Sequence, residues 1–114
     1  MALSIKPYIE NKERIHLIGI GGVSMNSLAE LLLSKGVPVS GSDRLRTDVT
    51  ARLEALGAKI TYEHKPENVE GAALIVRTAA VHDENPEIVR AHELGIPVME
   101  RAEAWGHIMR DYDN

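Results

Sequence analysis

Cysteine is absent from this sequence of 114 residues, which excludes a disulfide framework, a thiolate zinc site and a cysteine nucleophile. No apolar run approaches the roughly 18 residues that span a bilayer, and residues 1–14 lack the apolar centre of a signal peptide. Positive charge is also scarce, with 13 Lys and Arg against 17 Asp and Glu, so a nucleic-acid surface is not expected. These absences predict a soluble, cytoplasmic protein with no nucleic-acid or membrane partner.

Two kinds of catalytic motif are missing as well. No G-x-x-x-x-G-K-[ST] loop for ATP occurs, and no serine stands in an evident nucleophile arrangement. The five histidines, which show neither H-x-x-x-H nor H-E-x-x-H spacing, are His16, His64, His82, His92 and His107. We therefore expect no metal site and no catalytic residue in this chain. His16 is interpreted as a strand residue with a satisfied ring, and His92 as solvent-facing.

The residues that are present predict one α/β domain. Apolar residues make up 44% of the chain, enough for a core. Short apolar runs typical of buried strands begin at Ile15, Val37, Ala58, Ala73 and Ile96. Helical stripes or short connections separate these runs, and Asn85-Pro86-Glu87 has the cap, the proline and the acid of a helix start. Such alternation favours a Rossmann-like, open, doubly wound and mainly parallel sheet of about five strands.

A glycine-rich turn, residues 19–24, joins the first strand to the first helix. Glycines allow a tight turn and a close approach of backbone N–H groups to a ligand, while the helix directs its unpaired N–H groups to the same place. The expected occupant is a phosphate or diphosphate. The dinucleotide pattern G-x-G-x-x-G is incomplete, because Ser24 stands where the third glycine would be.

Three other segments should reach the same carboxyl edge of the sheet. Asp43 ends the second strand, where it could bind a ribose hydroxyl or simply hold a turn. His64 and His82 follow the third and fourth strands, either as ligand contacts or as surface loop residues. Thr78-Ala79-Ala80 would let a ligand lie close. Trp105, on the last predicted helix, is interpreted as a core or interface anchor.

Several segments together resemble the N-terminal domain of the Mur ligases, from Ile15 to Met109. The segments that carry the resemblance are Ile15-His16-Leu17-Ile18-Gly19-Ile20-Gly21-Gly22-Val23-Ser24-Met25, Ser40-Gly41-Ser42-Asp43, Leu53-Glu54-Ala55-Leu56-Gly57-Ala58, Thr78-Ala79-Ala80-Val81, Asn85-Pro86-Glu87, Gly95-Ile96-Pro97-Val98 and Arg101-Ala102-Glu103. Within the family, the pattern is most similar to the branch that joins L-alanine to UDP-N-acetylmuramic acid. Ser24 resembles one variant of this family's own loop.

The resemblance implies a part in peptidoglycan synthesis. The full ligase uses ATP and Mg²⁺ to phosphorylate the lactoyl carboxylate of UDP-N-acetylmuramic acid, and the amine of L-alanine then displaces the phosphate. The N-terminal domain holds the UDP part of the substrate. Carried over, the residues expected at the diphosphate are Gly19, Gly21, Gly22, Val23 and Ser24. Asp43 and Arg44 would lie near the uridine with His64 beside them, and Thr78 and Ala79 would line the same crevice.

The resemblance also predicts how the chain is divided. We expect an N-terminal arm over residues 1–14, the UDP-substrate domain over 15–110, and over 111–114 the start of a linker to an ATP-binding domain that is absent here. The chain alone should have no ligase activity and no cofactor of its own. Three alternatives remain open: the N-terminal domain of a murein peptide ligase, a module that senses a nicotinamide or flavin nucleotide, and a docking or oligomerisation domain. The sequence does not set an oligomeric state.

Overall fold

The computed structural model describes residues 4–111, and its centre is a sheet of five parallel strands. The strands are β1 (Ile15–Ile18), β2 (Val39–Ser42), β3 (Lys59–Thr61), β4 (Leu74–Arg77) and β5 (Val98–Glu100). Their order is β3-β2-β1-β4-β5, so the winding direction reverses between β1 and β4. The predicted doubly wound sheet is confirmed. In such folds, ligands bind at the carboxyl ends of the strands, near the point of reversal.

The helices surround this sheet on both faces. They are α1 (Lys6–Glu10), α2 (Val23–Ser34), α3 (Asp48–Ala55), α4 (Pro86–Glu93) and α5 (Arg101–Asp111), with a 3-10 helix at Pro66–Val69. The predicted start of α4 is confirmed, since the Asn85 side chain accepts a hydrogen bond from the Glu87 N–H at 2.9 Å. Thr47 caps α3 in the same manner by accepting from the Thr50 N–H.

The core has a larger and a smaller part, one on each face of the sheet. Ile15 and Leu17 of β1 contribute to the larger cluster, which packs against α1, α2, α3 and α5. Ile18 belongs to the smaller cluster, with Ile88 of α4 and Val69 of the 3-10 helix. Side chains alternate between the faces along a strand, so His16 of β1 shares its face with Ile18. The polar ring of His16 is therefore buried on the face of the sheet that carries the smaller cluster.

Four of the five strands begin one or two residues later than the sequence predicts, at Val39, Lys59, Leu74 and Val98. β2 begins at Val39 instead of Val37, because Pro38 has no N–H to donate; its carbonyl instead accepts from the Ile15 N–H at 3.0 Å. The spacing of Val49, Leu53 and Leu56 predicts an apolar stripe on the helix before β3. Leu53 is buried as that spacing predicts, whereas Leu56, the C-cap residue of α3, is 53% exposed.

The first helix packs on the body of the domain. Ile5 and Ile9 are buried in the larger cluster, and the Ile5 N–H contacts Nδ1 of His107 on α5 at 3.4 Å. Lys12 Nζ donates to the carbonyl of Lys35, just past the end of α2. The division at residue 14 stays a prediction, and the expectations for residues 1–3 and 112–114 lie outside the described residues. Among residues 4–111, no helix is both long and apolar enough to cross a bilayer.

Candidate functional site

The glycine-rich turn connects β1 to α2 and leaves the start of the helix open. Gly19 has a φ of +79°, a conformation that favours glycine, and its carbonyl accepts from the Gly22 N–H at 3.0 Å. Gly22 is the extended N-cap residue, and no side chain of the described chain caps α2. Because the first N–H groups of a helix have no partner within it, α2 offers unpaired donors and its positive dipole end to a ligand.

Asp43 fastens this turn to the end of β2. One carboxylate oxygen, Oδ2, accepts from the Gly21 N–H at 2.8 Å, while Oδ1 accepts from the N–H groups of Arg44 and Leu45 at 2.8 and 3.3 Å. A Cβ on Gly21 would lie 2.8 Å from Oδ2 and 3.0 Å from Cγ2 of Thr50. Only a glycine at position 21 therefore leaves room for the contact with Asp43. The geometry favours the turn-holding interpretation of Asp43, and its contact with a ligand stays a prediction.

Ser24 and Val23 begin α2 in different environments. The Ser24 hydroxyl accepts a hydrogen bond from Nε1 of Trp105 at 3.1 Å, which joins α5 to the start of α2. Trp105 also packs against the larger core cluster, so its interpretation as an anchor is confirmed. Val23 is 88% exposed. The surface above the turn is therefore accessible.

An open cleft of about 580 Å³ lies at the carboxyl edge of the sheet. Three of the segments predicted to meet at this edge contribute to its lining, which consists of Arg44, His64, Ala80, Val81, His82, Glu84, Asn85 and Pro86. The cleft adjoins the glycine turn through Asp43, which precedes Arg44 and binds Gly21. Thr78 and Ala79 stand just before the lining segment, and the Thr78 carbonyl accepts from the Val81 N–H at 3.1 Å.

Arg77, at the end of β4, holds the loop that forms one wall of the cleft. Its guanidinium donates to Asp83 Oδ1 at 2.7 Å and to the carbonyl of Val81. The hydrogen bond and the positive charge of Arg77 lower the pKa of Asp83. Arg77 also lies 3.9 Å from the carboxylate of Glu100 on β5. Arg77 therefore links this loop to β5.

A buried polar cluster lies directly behind the cleft. We call it the Glu87 cluster, and its members are Glu87, His16, Ser40, Ser42, His64 and Asn68. Glu87 is 0% exposed and His16 is 1% exposed. Glu87 Oε1 is 2.6 Å from His16 Nε2 and accepts from the Ser42 hydroxyl at 3.0 Å. The predicted satisfied ring of His16 is confirmed, since its Nδ1 also contacts Ser40 Oγ at 2.8 Å.

The second carboxylate oxygen of Glu87 faces the cleft side. Oε2 accepts from Asn68 Nδ2 at 2.9 Å and lies 3.3 Å from His64 Nδ1. The same His64 nitrogen is 3.1 Å from the Ser42 hydroxyl oxygen. His64 is therefore shared between the Glu87 cluster and the cleft lining.

Burial raises the pKa of Glu87, but its partners reverse the shift. The hydrogen bond and charge of His16 act most strongly, followed by the hydrogen bonds from Asn68 and Ser42, and together they leave the pKa of Glu87 below its usual value. Glu87 is consequently a buried, ionised carboxylate at neutral pH. Such a charge is tolerated only when hydrogen-bond donors surround it.

Sequence reasoning missed the Glu87 cluster. The pattern Asn85-Pro86-Glu87 predicts a helix-start acid facing the dipole and gives no reason for Glu87 to be buried. A signal was nevertheless present: Ser40 pairs with His16 in register, and Ser42 is two residues further along β2 on the same face. Three polar side chains on one face of a buried strand pair require a polar partner.

The remaining histidines do not form a metal centre. His82 lines the cleft, and His92 is exposed on α4 as predicted. Within residues 4–111 no three His, Asp or Glu side chains are arranged to hold a metal ion. The family resemblance implies ATP and Mg²⁺ for the full ligase and not for this domain, so we assign no step through ATP or Mg²⁺ to the described residues.

Comparison with known proteins adds a family match. Residues 14–113 match the model described as "Mur ligase family, catalytic domain". A curated relative, the UDP-N-acetylmuramate–L-alanine ligase of Clostridium novyi, is 48% identical over 103 residues, which cover 90% of this chain and 22% of that enzyme. The chain thus spans about a fifth of the length of the curated relatives it matches.

Solved structures agree with this match. The UDP-N-acetylmuramate-alanine ligase of Thermotoga maritima superposes with a TM-score of 0.84 and 36% identity, covering 89% of this chain and 24% of that one. The UDP-N-acetylmuramate:L-alanyl-gamma-D-glutamyl-meso-diaminopimelate ligase of Neisseria meningitides gives a TM-score of 0.71 and 26% identity, covering 78% of this chain and 28% of that one. The likeness is thus greater to the alanine-adding enzyme than to this second ligase.

Proposed function

Because the chain belongs to the Mur ligase family, we propose that it is the UDP-N-acetylmuramic acid-binding domain of an ATP-dependent UDP-N-acetylmuramate–L-alanine ligase. The observation that carries the proposal is the open start of α2, which the contact between Gly21 and Asp43 holds beside the cleft. ATP, Mg²⁺ and L-alanine would be bound by other parts of the parent enzyme. A cytoplasmic location is carried over with the family and belongs to the same proposal.

The start of α2 supports a site for the diphosphate. A diphosphate carries negative charge and accepts hydrogen bonds, which matches the unpaired N–H groups and the positive dipole of a helix start. The glycines at 19, 21 and 22 keep side chains away from this point, and Val23 and Ser24 supply the first helical N–H groups. These residues form the diphosphate part of the proposed site.

The cleft supports a site for the nucleoside and the sugar. Arg44 supplies a positive charge at its rim, and His64 supplies a ring nitrogen. A cleft of about 580 Å³ is in the range typical of small-molecule sites, which is about 300–1,000 Å³. Asp43, Thr78 and Ala79 are the remaining proposed contacts, as neighbours of the lining residues.

The sequence of the turn argues against a nicotinamide-sensing module. Ser24 stands where the dinucleotide pattern has its third glycine. Asp43 does not discriminate between the two ligands, because NAD and a UDP-sugar both carry a ribose.

Amide NMR shift mapping tests the proposal, with UDP-N-acetylmuramic acid and NAD titrated separately into the 114-residue chain. We expect the UDP-sugar alone to shift the signals of residues 19–24, Arg44 and His64. Arg44→Ala should weaken binding about three- to tenfold, while its matched control Arg46→Ala, in the same loop but outside the cleft lining, should not. Shifts with NAD alone, or no shifts with millimolar UDP-sugar, would contradict the proposal.

Catalysis by the isolated chain is a separate test. The sequence holds no ATP loop, so we expect no alanine-dependent hydrolysis of ATP by the purified chain. Measurable hydrolysis in the presence of L-alanine and UDP-N-acetylmuramic acid would overturn this expectation.

A further inference from the structure

Glu87 has as many donors around it as a carboxylate can accept. His16 Nε2 and the Ser42 hydroxyl face Oε1, while Asn68 Nδ2 and His64 Nδ1 face Oε2. An ionised carboxylate only accepts hydrogen bonds and has about four lone-pair positions. Each partner must therefore present a hydrogen to Glu87.

This requirement decides where the His64 ring carries its proton. The Ser42 hydroxyl gives its hydrogen to Glu87, so only its oxygen lone pairs face His64 Nδ1. A bare Nδ1 would then point its lone pair at two acceptors, the Ser42 oxygen and Glu87 Oε2, at 3.1 and 3.3 Å. A hydrogen on Nδ1 satisfies both contacts. The neutral His64 ring accordingly has no hydrogen on Nε2.

The bare nitrogen belongs to a side chain that lines the cleft. The side chain of His64 is 18% exposed, and within residues 4–111 its Nε2 has no hydrogen-bond partner. We infer that Glu87 is a positioning residue that holds His64 in the Nδ1–H form, so that Nε2 acts as a hydrogen-bond acceptor for a ligand. Such an acceptor selects an O–H or N–H group of the nucleoside or the sugar, and not a phosphate oxygen. The ligand part of this inference rests on the proposed function; the positioning part does not.

The unaltered chain provides the first test. Long-range proton–nitrogen NMR spectra distinguish protonated from bare ring nitrogens, and exposed His92 serves as an internal reference. In the neutral form of the His64 ring we expect a hydrogen on Nδ1 and none on Nε2, whereas an unpartnered imidazole favours the opposite form. A neutral His64 ring with its hydrogen on Nε2 would overturn the inference.

Two variants separate Glu87 from its neighbour Ser42. Glu87→Gln replaces one acceptor oxygen with an amide donor, which faces either His16 or His64. The ring that faces the donor can accept from it only by moving its own proton to the other ring nitrogen. We therefore expect one of the two rings to change its form in Glu87→Gln, while Ser42→Ala leaves Glu87 Oε2 in place and should preserve the Nδ1–H form of His64. Unchanged forms of both rings in folded Glu87→Gln, or a changed His64 in Ser42→Ala, would refute the role of Glu87.

The acceptor role is tested with UDP-N-acetylmuramic acid. His64→Gln keeps a side-chain acceptor and should bind within about twofold of the unaltered chain, while His64→Leu should lose about two- to tenfold. Equal binding by both variants would overturn the acceptor role. No binding by the unaltered chain, with the expected His64 spectrum, would refute the proposed function and leave the positioning role standing.

Discussion

Replacing Glu87 with alanine should be among the most destabilising single changes in this domain. The substitution leaves His16 Nε2 and the Ser42 hydroxyl without their acceptor in a place with 1% and 0% exposure. A buried donor that loses its acceptor costs about 1–3 kcal/mol, and more where the acceptor was charged. We expect a loss of about 3–5 kcal/mol in the free energy of unfolding. Asn68 and His64 also lose their acceptor, but water that enters the new cavity can accept their hydrogen bonds and so offsets this further loss.

Urea unfolding at pH 7, followed by far-ultraviolet circular dichroism, measures this loss. Small domains are stable by only about 5–15 kcal/mol, so the midpoint for Glu87→Ala should fall steeply or the variant should be partly unfolded. The milder Glu87→Gln keeps the shape and one acceptor, and should cost about 1–3 kcal/mol. It thereby provides a measurable value if the alanine variant does not fold.

Glu93→Ala is the matched control on the same helix. Its carboxylate is 58% exposed and pairs with Arg90 at 3.1 Å, so its removal should change stability by less than about 1 kcal/mol. A loss for Glu87→Ala within about 1 kcal/mol of this control would refute the reasoning. Such a result would mean that the hydrogen bonds from His16 and Ser42 to Glu87 add little to the stability of the domain.

Three further predictions concern acid, the glycine turn and the anchor of α5. The pKa of Glu87 is lowered in the folded state, so its contribution to stability is full above the unfolded value of about 4.3 and disappears as the pH falls through the folded value. Urea midpoints should therefore fall more steeply below about pH 4.3 in the unaltered chain than in Glu87→Gln, and parallel profiles would contradict this. Gly21→Ala places a Cβ 2.8 Å from Asp43 Oδ2 and should cost about 1–3 kcal/mol and weaken UDP-sugar binding, while Gly106→Ala, with nothing within 4 Å, should stabilise by about 0.5–1 kcal/mol. Equal effects of the two alanines on unfolding would remove the steric argument. Trp105→Phe loses the hydrogen bond to Ser24 and should cost about 1 kcal/mol in the same assay, whereas Ser24→Ala in the Trp105→Phe background should then cost little more.

The architecture was predictable because its signals are local. Apolar runs, the cap at Asn85 and the glycine after β1 each act within a few residues, and their alternation leaves few topologies. The start of β2 was less predictable, since Val37 and Val39 are both apolar and buried. The missing N–H of Pro38 and the register with β1, where Ile15 pairs with Val39, together decide which of them begins the strand.

The candidate site was predictable to a smaller extent. The glycine turn and Asp43 follow from the strand–helix pattern, which places them at one edge. Glu87 was not predictable in the same manner, because its partners are distant in sequence: His16 is 71 residues away and Ser42 is 45. The residues next to Glu87 in the sequence account for it as an acid at a helix start, and they give no sign of its buried contacts. Contacts of this kind appear only when the sheet brings the segments together.

The pairing of α1 with α5 determines where the domain can be labelled in an experiment. Ile5 touches His107 on α5, and Lys12 donates to the carbonyl of Lys35 past the end of α2. None of these residues lines the cleft at the carboxyl edge of the sheet. A surface tether or a fluorescent label on the exposed side of α1 should consequently leave ligand access unobstructed.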